Sequence, residues 1–323
     1  MGVRRSALRI VIPGGTGQIG RLLTNYFHAA GDDVTVIARD TTPEALRGTI
    51  GWDGRTLGAW TEAIDAADVV INMAGRSVNC RYNENNRRII KESRTQTTRL
   101  IGQAIAAAKH PPALWMNAST ATIYRHSFDR AMDEATGQLG GGEPNVPDTW
   151  RFSIDVAKSW EEVFFQSVTP GTRKIALRTA IVMAPSRGGT LSILLGLVRR
   201  GLGGASGSGK QFVSWIHDED FIRAIEFLID HEQIDGIVNL SSPNPLPNRE
   251  FMQALCDAWG ARIAIPAAAW MLEVAAAFMG TETELVLKSR RVIPRRLLDA
   301  GFEFQFPAWP EAAADLVRRW RLS

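Results

Sequence analysis

Directly after a short β-branched run and before a helical pattern, the chain reads Gly14-Gly15-Thr16-Gly17-Gln18-Ile19-Gly20. Missing side chains at such a junction let backbone N–H groups approach a pyrophosphate at the positive end of a helix. A turn that holds no ligand is the other reading, and the flanking strand and helix argue against it. The second strand ends Val36-Ile37-Ala38-Arg39-Asp40, and this tip decides how an adenosine ribose is read. An acid there accepts from a free 2′-hydroxyl, whereas an arginine brings charge to a 2′-phosphate. Ala38 holds the tip and Arg39 follows, so NADP(H) is the expected cofactor. Asp40 keeps NAD(H) open, and Arg39 as a plain solvated charge is the bland alternative. Asp53, in Gly51-Trp52-Asp53, is placed either to meet the adenine or to close a turn. Asn72, Ala74 and Gly75 end a buried run in small residues, which lets a cofactor cross the carboxyl edge of a sheet.

Groups placed in this way need strands to carry them to one edge. Strands are expected over Leu8–Ile12, Val34–Ile37, Val69–Asn72, Leu114–Ala118 and Lys174–Leu177, with helices over Ile19–Ala30, Asn85–Lys109 and Trp150–Val168. That alternation is the signature of βαβ units. The fold class is therefore α/β: a Rossmann-type, doubly wound parallel sheet with a smaller C-terminal substrate-side subdomain. Gly201–Gly209 and Pro243–Pro247 interrupt the alternation. They set the expected boundaries at residues 1–182 for the dinucleotide domain, completed by 212–240, and at 183–211 with 241–323 for the smaller part.

Composition narrows the partners. The 37 basic residues are interspersed with 34 acidic ones, for a net charge of +3. With no polybasic block, nucleic acid is not an expected partner, while an anionic small molecule fits. Cys80 and Cys256 stand alone, without metal-ligand spacing, so a reducing compartment and no metal site are expected. The start Met1-Gly2-Val3-Arg4-Arg5-Ser6 fits a loose myristoylation pattern, but the apolar run behind it stops at Pro13, too soon for a signal peptide. Ile263–Met279 is apolar yet carries Pro266 and Glu273, and it reads as a packed helix rather than a membrane span. A cytoplasmic protein without a membrane partner is expected.

Several separate blocks carry a resemblance across nearly the whole chain. They are Gly14–Gly20, Ile71–Gly75, Trp160-Glu161, Arg178-Thr179, Gly188–Leu191, Ser214–Asp220, Asn248–Phe251 and Val292–Phe302. In these the sequence resembles the atypical short-chain dehydrogenase/reductases known as YfcH-like or "epimerase family" proteins. The resemblance implies a Rossmann fold with bound NADP(H) and leaves the substrate open. In extended members of the wider group, a Ser or Thr four residues before a Tyr on the fifth strand's loop bonds the reacting oxygen. That points to Thr120 in Ser119-Thr120-Ala121-Thr122-Ile123-Tyr124, with Ser119 beside the cofactor; a hydroxyl that only caps the turn is the alternative.

Standard members also carry Tyr-x-x-x-Lys, in which the lysine holds the nicotinamide ribose and makes the tyrosine a usable acid or base. Lys158 matches that lysine, but Ile154 stands where the tyrosine belongs and cannot move a proton. Lys158 either keeps the ribose or is an exposed helix lysine. Of the three tyrosines, Tyr26 lies on the first helix's repeating face, which leaves Tyr124 as the expected proton donor and Tyr82 as a substrate contact. His126 and His217 could titrate, although packing or capping is the commoner use of such residues. Sugar-nucleotide epimerases carry an arginine where Val213 stands; Arg81, Lys210 or Gln211 could compensate, with Trp215 on the same segment. Two functions are expected from this: an NADP(H)-dependent oxidoreductase or epimerase-like enzyme acting on a small polar molecule, or an NADPH-binding sensor without turnover.

Overall fold

The computed structural model describes residues 6–39, 48–268 and 284–322. Strands β1 (Arg9–Pro13), β2 (Asp33–Ala38), β3 (Thr49–Gly51), β4 (Val69–Asn72), β5 (Leu114–Thr120) and β6 (Arg173–Thr179) alternate with helices α1 (Gln18–Ala30), α2 (Thr61–Asp65), α3 (Glu84–Ala107) and α4 (Asp148–Gln166). With β10 (Gly236–Leu240) they form one seven-stranded sheet in the order β10-β6-β5-β4-β1-β2-β3. Every pairing in it is parallel. The order reverses between β1 and β4, and it is outside such a reversal that open α/β sheets bind ligands.

Both faces of the sheet are covered, so the strands read as continuous apolar runs rather than alternating ones. Ile10, Ile12, Val69, Ile71, Met116 and Leu177 face α1 and α6 (Asp218–Asp230), meeting Leu23, Phe27, Phe221 and Leu228. The alternate residues Val11, Val70, Trp115 and Ala176 pack on Ile64, Leu100, Ile101 and Phe164 of α2, α3 and α4. A second body is built around Leu191, Leu195, Trp215, Phe251, Leu255, Trp309 and Leu316. Its helices are α5 (Thr190–Arg199), α7 (Asn248–Trp259) and the last helix, Trp309–Leu322. The short strands β7 (Ile181–Met183) and β9 (Trp215–His217) pair in parallel beneath it, and β8 (Phe212–Val213) pairs antiparallel with β11 (Leu246–Pro247).

The helix expected over Ile263–Met279 is corrected in its described part. Residues 263–266 are irregular, Gly207 N–H donates to Ala267 O, and Ala267 bridges to Ser206. Pro266 supplies no N–H and biases Ile265 away from helix. The remainder of that stretch, 269–279, lies outside the described residues, as do Asp40 and the first five residues. Among the described residues no helix is long and apolar enough to cross a membrane.

Candidate functional site

The glycine loop closes tightly on the strands beneath it. Gly14 has φ +81°, donates to Ile37 O at 2.8 Å, and lies so near the next strand that a Cβ there would stand 2.7 Å from Ala74 N. Only glycine fits that approach. A Cβ on Gly20 would collide with Gly14 O, whereas Gly17 has more room, with its nearest neighbour at 3.3 Å. Gly17 is the N-cap of α1, no side chain caps the helix, and its first turn carries no acid. The N–H groups of that turn are therefore open to an anion. Gln18 extends from it to donate to Ser186 Oγ at 2.9 Å, while Ile19 packs inward against the core.

From this loop a cavity of about 290 Å³ runs along the carboxyl ends of the strands. Gly14, Thr16 and Gly17 form its floor, Ala38 and Arg39 one end, Asp53 and Arg55 the neighbouring strand end, and Ala74, Gly75 and Arg76 the far wall. Arg39 is exposed at the tip of β2. Asp53 lies on the rim, but its carboxylate accepts from Arg55 N–H, Thr56 N–H and Thr56 Oγ1 within 2.9 Å. Those bonds lower its pKa to about 2 and give it the turn-closing role, while it still lines the groove. Arg55 and Arg76 were not singled out from the sequence; an Arg two residues past the Asp, and one directly after Gly75, were the available signals. A larger depression of about 680 Å³ is lined by Arg249, Gln253, Asp257, Pro310 and Ala314 and touches no strand end of the large sheet.

Two expected cofactor contacts are engaged inside the protein. Asn72 is fully buried; its Nδ2 donates to Asn117 Oδ1 at 2.7 Å and its Oδ1 accepts from Ala74 N–H, so it shapes the turn under Ala74. Ser119 donates to Glu161 Oε1 at 2.5 Å. Glu161 in turn holds Arg178 through two bonds, at 2.8 and 2.7 Å, with both side chains over nine-tenths buried.

The same network removes the expected proton donor. Tyr124 is 1% exposed; its hydroxyl accepts from Arg178 Nη1 at 3.0 Å and donates to Asn239 Oδ1 at 2.9 Å. Burial pushes its pKa up. A phenol enclosed on every side reaches no ligand, so Tyr124 is a structural residue, and the elimination that selected it did not account for this buried partner set. Thr120 is half-buried and accepts from Thr122 N–H at 3.2 Å, the capping alternative, while its own O–H remains a donor. Lys158 is exposed and donates to Gly140 O at 2.7 Å. Ile154, one turn earlier, is 1% exposed.

Among the expected substrate contacts, Gln211 and Trp215 are corrected. Gln211 is buried and donates to Ser206 O at 2.7 Å; Trp215 is fully buried with its ring 4.8 Å from that of Trp309. Both belong to the second body's interior. Arg81 and Tyr82 do lie on the loop after β4; Tyr82 is half-buried, meets Phe152 edge-on, and its hydroxyl bonds Ser153. His217 caps α6 through Nδ1 and His126 accepts from Ser289 N–H at 3.0 Å, so both are capping or packing residues. Arg94 and Glu284, which gather beside Tyr82 and Ser153, carried no sequence signal, since the chain separates them by almost two hundred residues.

The sequence profile of the NAD dependent epimerase/dehydratase family matches residues 10–241, and that of a domain of unknown function, DUF1731, matches residues 267–316. Epimerase family protein SDR39U1 of Mus musculus is 31% identical over 96% of this chain and 100% of its own length. The crystal structure of the human protein of that name (isoform 2), solved with NADPH, superposes with a TM-score of 0.82 at 29% identity, over 96% of this chain and 99% of that one. A nucleoside-diphosphate sugar epimerase from Corynebacterium glutamicum gives a TM-score of 0.75 at 26% identity, over 97% of this chain and 58% of that one.

Proposed function

Because the chain belongs to the NAD dependent epimerase/dehydratase family, we propose that it binds NADP(H) and works as an oxidoreductase or epimerase-like enzyme on a small polar molecule. One observation carries the cofactor: the groove at the sheet's reversal has an open helix N-terminus at its floor and exposed Arg39 at the tip of β2. The NADPH in the human relative's structure agrees with it.

In this reading the N–H groups of Gln18 and Ile19, at the start of α1, hold the pyrophosphate, Arg39 pairs with the 2′-phosphate, and Ala74 and Gly75 leave room for the ribose to pass. Lys158 keeps one N–H on Gly140 O and offers the others to the nicotinamide ribose. The bound nicotinamide supplies the hydride chemistry. Thr120 orients the reacting oxygen with its remaining O–H.

A second reading, an NADPH-binding protein without turnover, is favoured by the α4 position that lacks a tyrosine and by the sealed Tyr124. Loss of NADPH absorbance against a panel of carbonyl metabolites, together with NADP-dependent isomerisation of a panel of polyols and sugars followed by NMR, separates the two. Net oxidation or isomerisation of any one of them supports the enzyme. A saturating bound cofactor with which no compound is oxidised, reduced or isomerised supports the second reading.

A further inference from the structure

One group of charged side chains lies where α3, the loop after β4, the first turns of α4 and the segment from Glu284 onward meet. Arg94 of α3 stands against Gly75: a Cβ on that glycine would be 3.3 Å from the guanidinium carbon. The guanidinium lies 5.1 Å from the centre of the Trp160 ring and gives one N–H to Ile90 O at 3.0 Å. No carboxylate pairs with it among the described residues; Tyr82 is the one titratable group that acts on it, and burial lowers its pKa to about 10. Next to it, Ser153, which bonds the Tyr82 hydroxyl, donates to Glu284 Oε2 at 2.5 Å. Behind them Glu284 already serves Lys288 at 3.6 Å and Arg290 at 3.8 Å. Glu143, the other acid acting on Lys288, accepts from Gly141 and His126 N–H.

A half-buried cation without a counter-ion is costly to keep, and the planar fork of an arginine matches two oxygens of one oxyanion. The position is also the right one for a substrate. Ser153 immediately precedes Ile154, so this cluster borders the stretch of α4 where the resemblance would place a reacting tyrosine. We propose that Arg94, with Tyr82 beside it, forms a subsite for an oxyanionic group of the substrate, a carboxylate or a phosphate, so that the molecule handled here is an acid. This rests on the proposed function only for the nicotinamide being next to it.

Isothermal titration of NADPH-saturated protein tests the subsite, since saturation fills the pyrophosphate groove. Sodium acetate, inorganic phosphate and the neutral isostere acetamide are titrated at constant ionic strength into wild type, Arg94→Met and Arg94→Lys. Acetate or phosphate should bind saturably and acetamide should not, and the tighter anion tells carboxylate from phosphate. Arg94→Met should weaken that anion about tenfold or more, as loss of a charged hydrogen-bonding partner does, with Arg94→Lys between it and wild type. Equal affinity in wild type and Arg94→Met, or binding of acetamide as tight as acetate, overturns the subsite. If Arg94→Met melts below the assay temperature by circular dichroism, Arg94→Lys alone decides by the same comparison. Failure of wild type to take up NADPH would overturn the proposed function instead, and the anion titration on the free protein would then judge the subsite by the same variants.

Discussion

Glu161 and Arg178 exchange two hydrogen bonds inside the protein while Ser119 and Tyr124 each add one, so four side chains from α4, β5, β6 and the loop after β5 form one network, which Tyr124 continues to Asn239. Breaking a buried pair by removing one charge typically costs about 3–5 kcal/mol, because the other charge is left without compensation. Glu161→Gln should therefore lower the unfolding free energy by about that much in urea titration. Tyr124→Phe removes one hydroxyl from Arg178 and Asn239 and should cost about 1–3 kcal/mol, with NADPH affinity unchanged; a large loss of NADPH affinity at wild-type stability would return Tyr124 to the site. These residues show why the site was only partly legible. Gly14, Gly17, Arg39 and Gly75 line the groove through local chain geometry that the sequence displays. Ser119, Tyr124, Gln211 and Trp215 look equally available as letters, and each is turned inward by a partner between 5 and 94 positions away.

The β1–α1 unit positions the cofactor, and its glycines do different work. Gly14 and Gly20 are close-packing positions, whereas Gly17 is the exposed N-cap, where an added Cβ would meet Gly14 O at 3.3 Å. Gly17→Val should therefore fold with a smaller loss of melting temperature than Gly20→Ala and lose NADPH binding, because its branched side chain covers the open N–H groups. Gly20→Ala should instead fail through stability, visible as a lowered melting temperature, since its methyl group has Gly14 O in its place. A folded Gly17→Val that binds NADPH normally would reduce the loop to a turn. The elements themselves were legible: the β-branched runs at Val34–Ile37 and Val69–Asn72 are strands because both their faces are covered by helices. The Ile263 segment was not, because apolar content alone cannot tell a helix from a loop that lies against Gly201 and Ala205 by backbone bonds.

Across the whole molecule, the last helix is fastened to the sheet domain where His217 meets Asp315 at 3.2 Å and Arg319 holds Asp218 through two bonds. His217 is fully buried, and burial lowers its pKa below 6.5. The unfolded chain therefore binds the proton more readily than the folded one, so stability is full above the ordinary histidine pKa and falls as pH drops below it. Unfolding free energies measured through that range should decline with acid, and His217→Asn, which keeps a capping side chain, should flatten the decline. An unchanged slope in the variant would place the acid sensitivity elsewhere. Above all the account rests on one groove reading one nucleotide, and isothermal titration of NADPH and NADH into wild type and Arg39→Glu tests that most directly. NADPH should bind about tenfold or more tightly than NADH in wild type, a difference of about 1.4 kcal/mol, and the preference should vanish in Arg39→Glu. Equal affinities in wild type, or tighter NADH, would contradict the account.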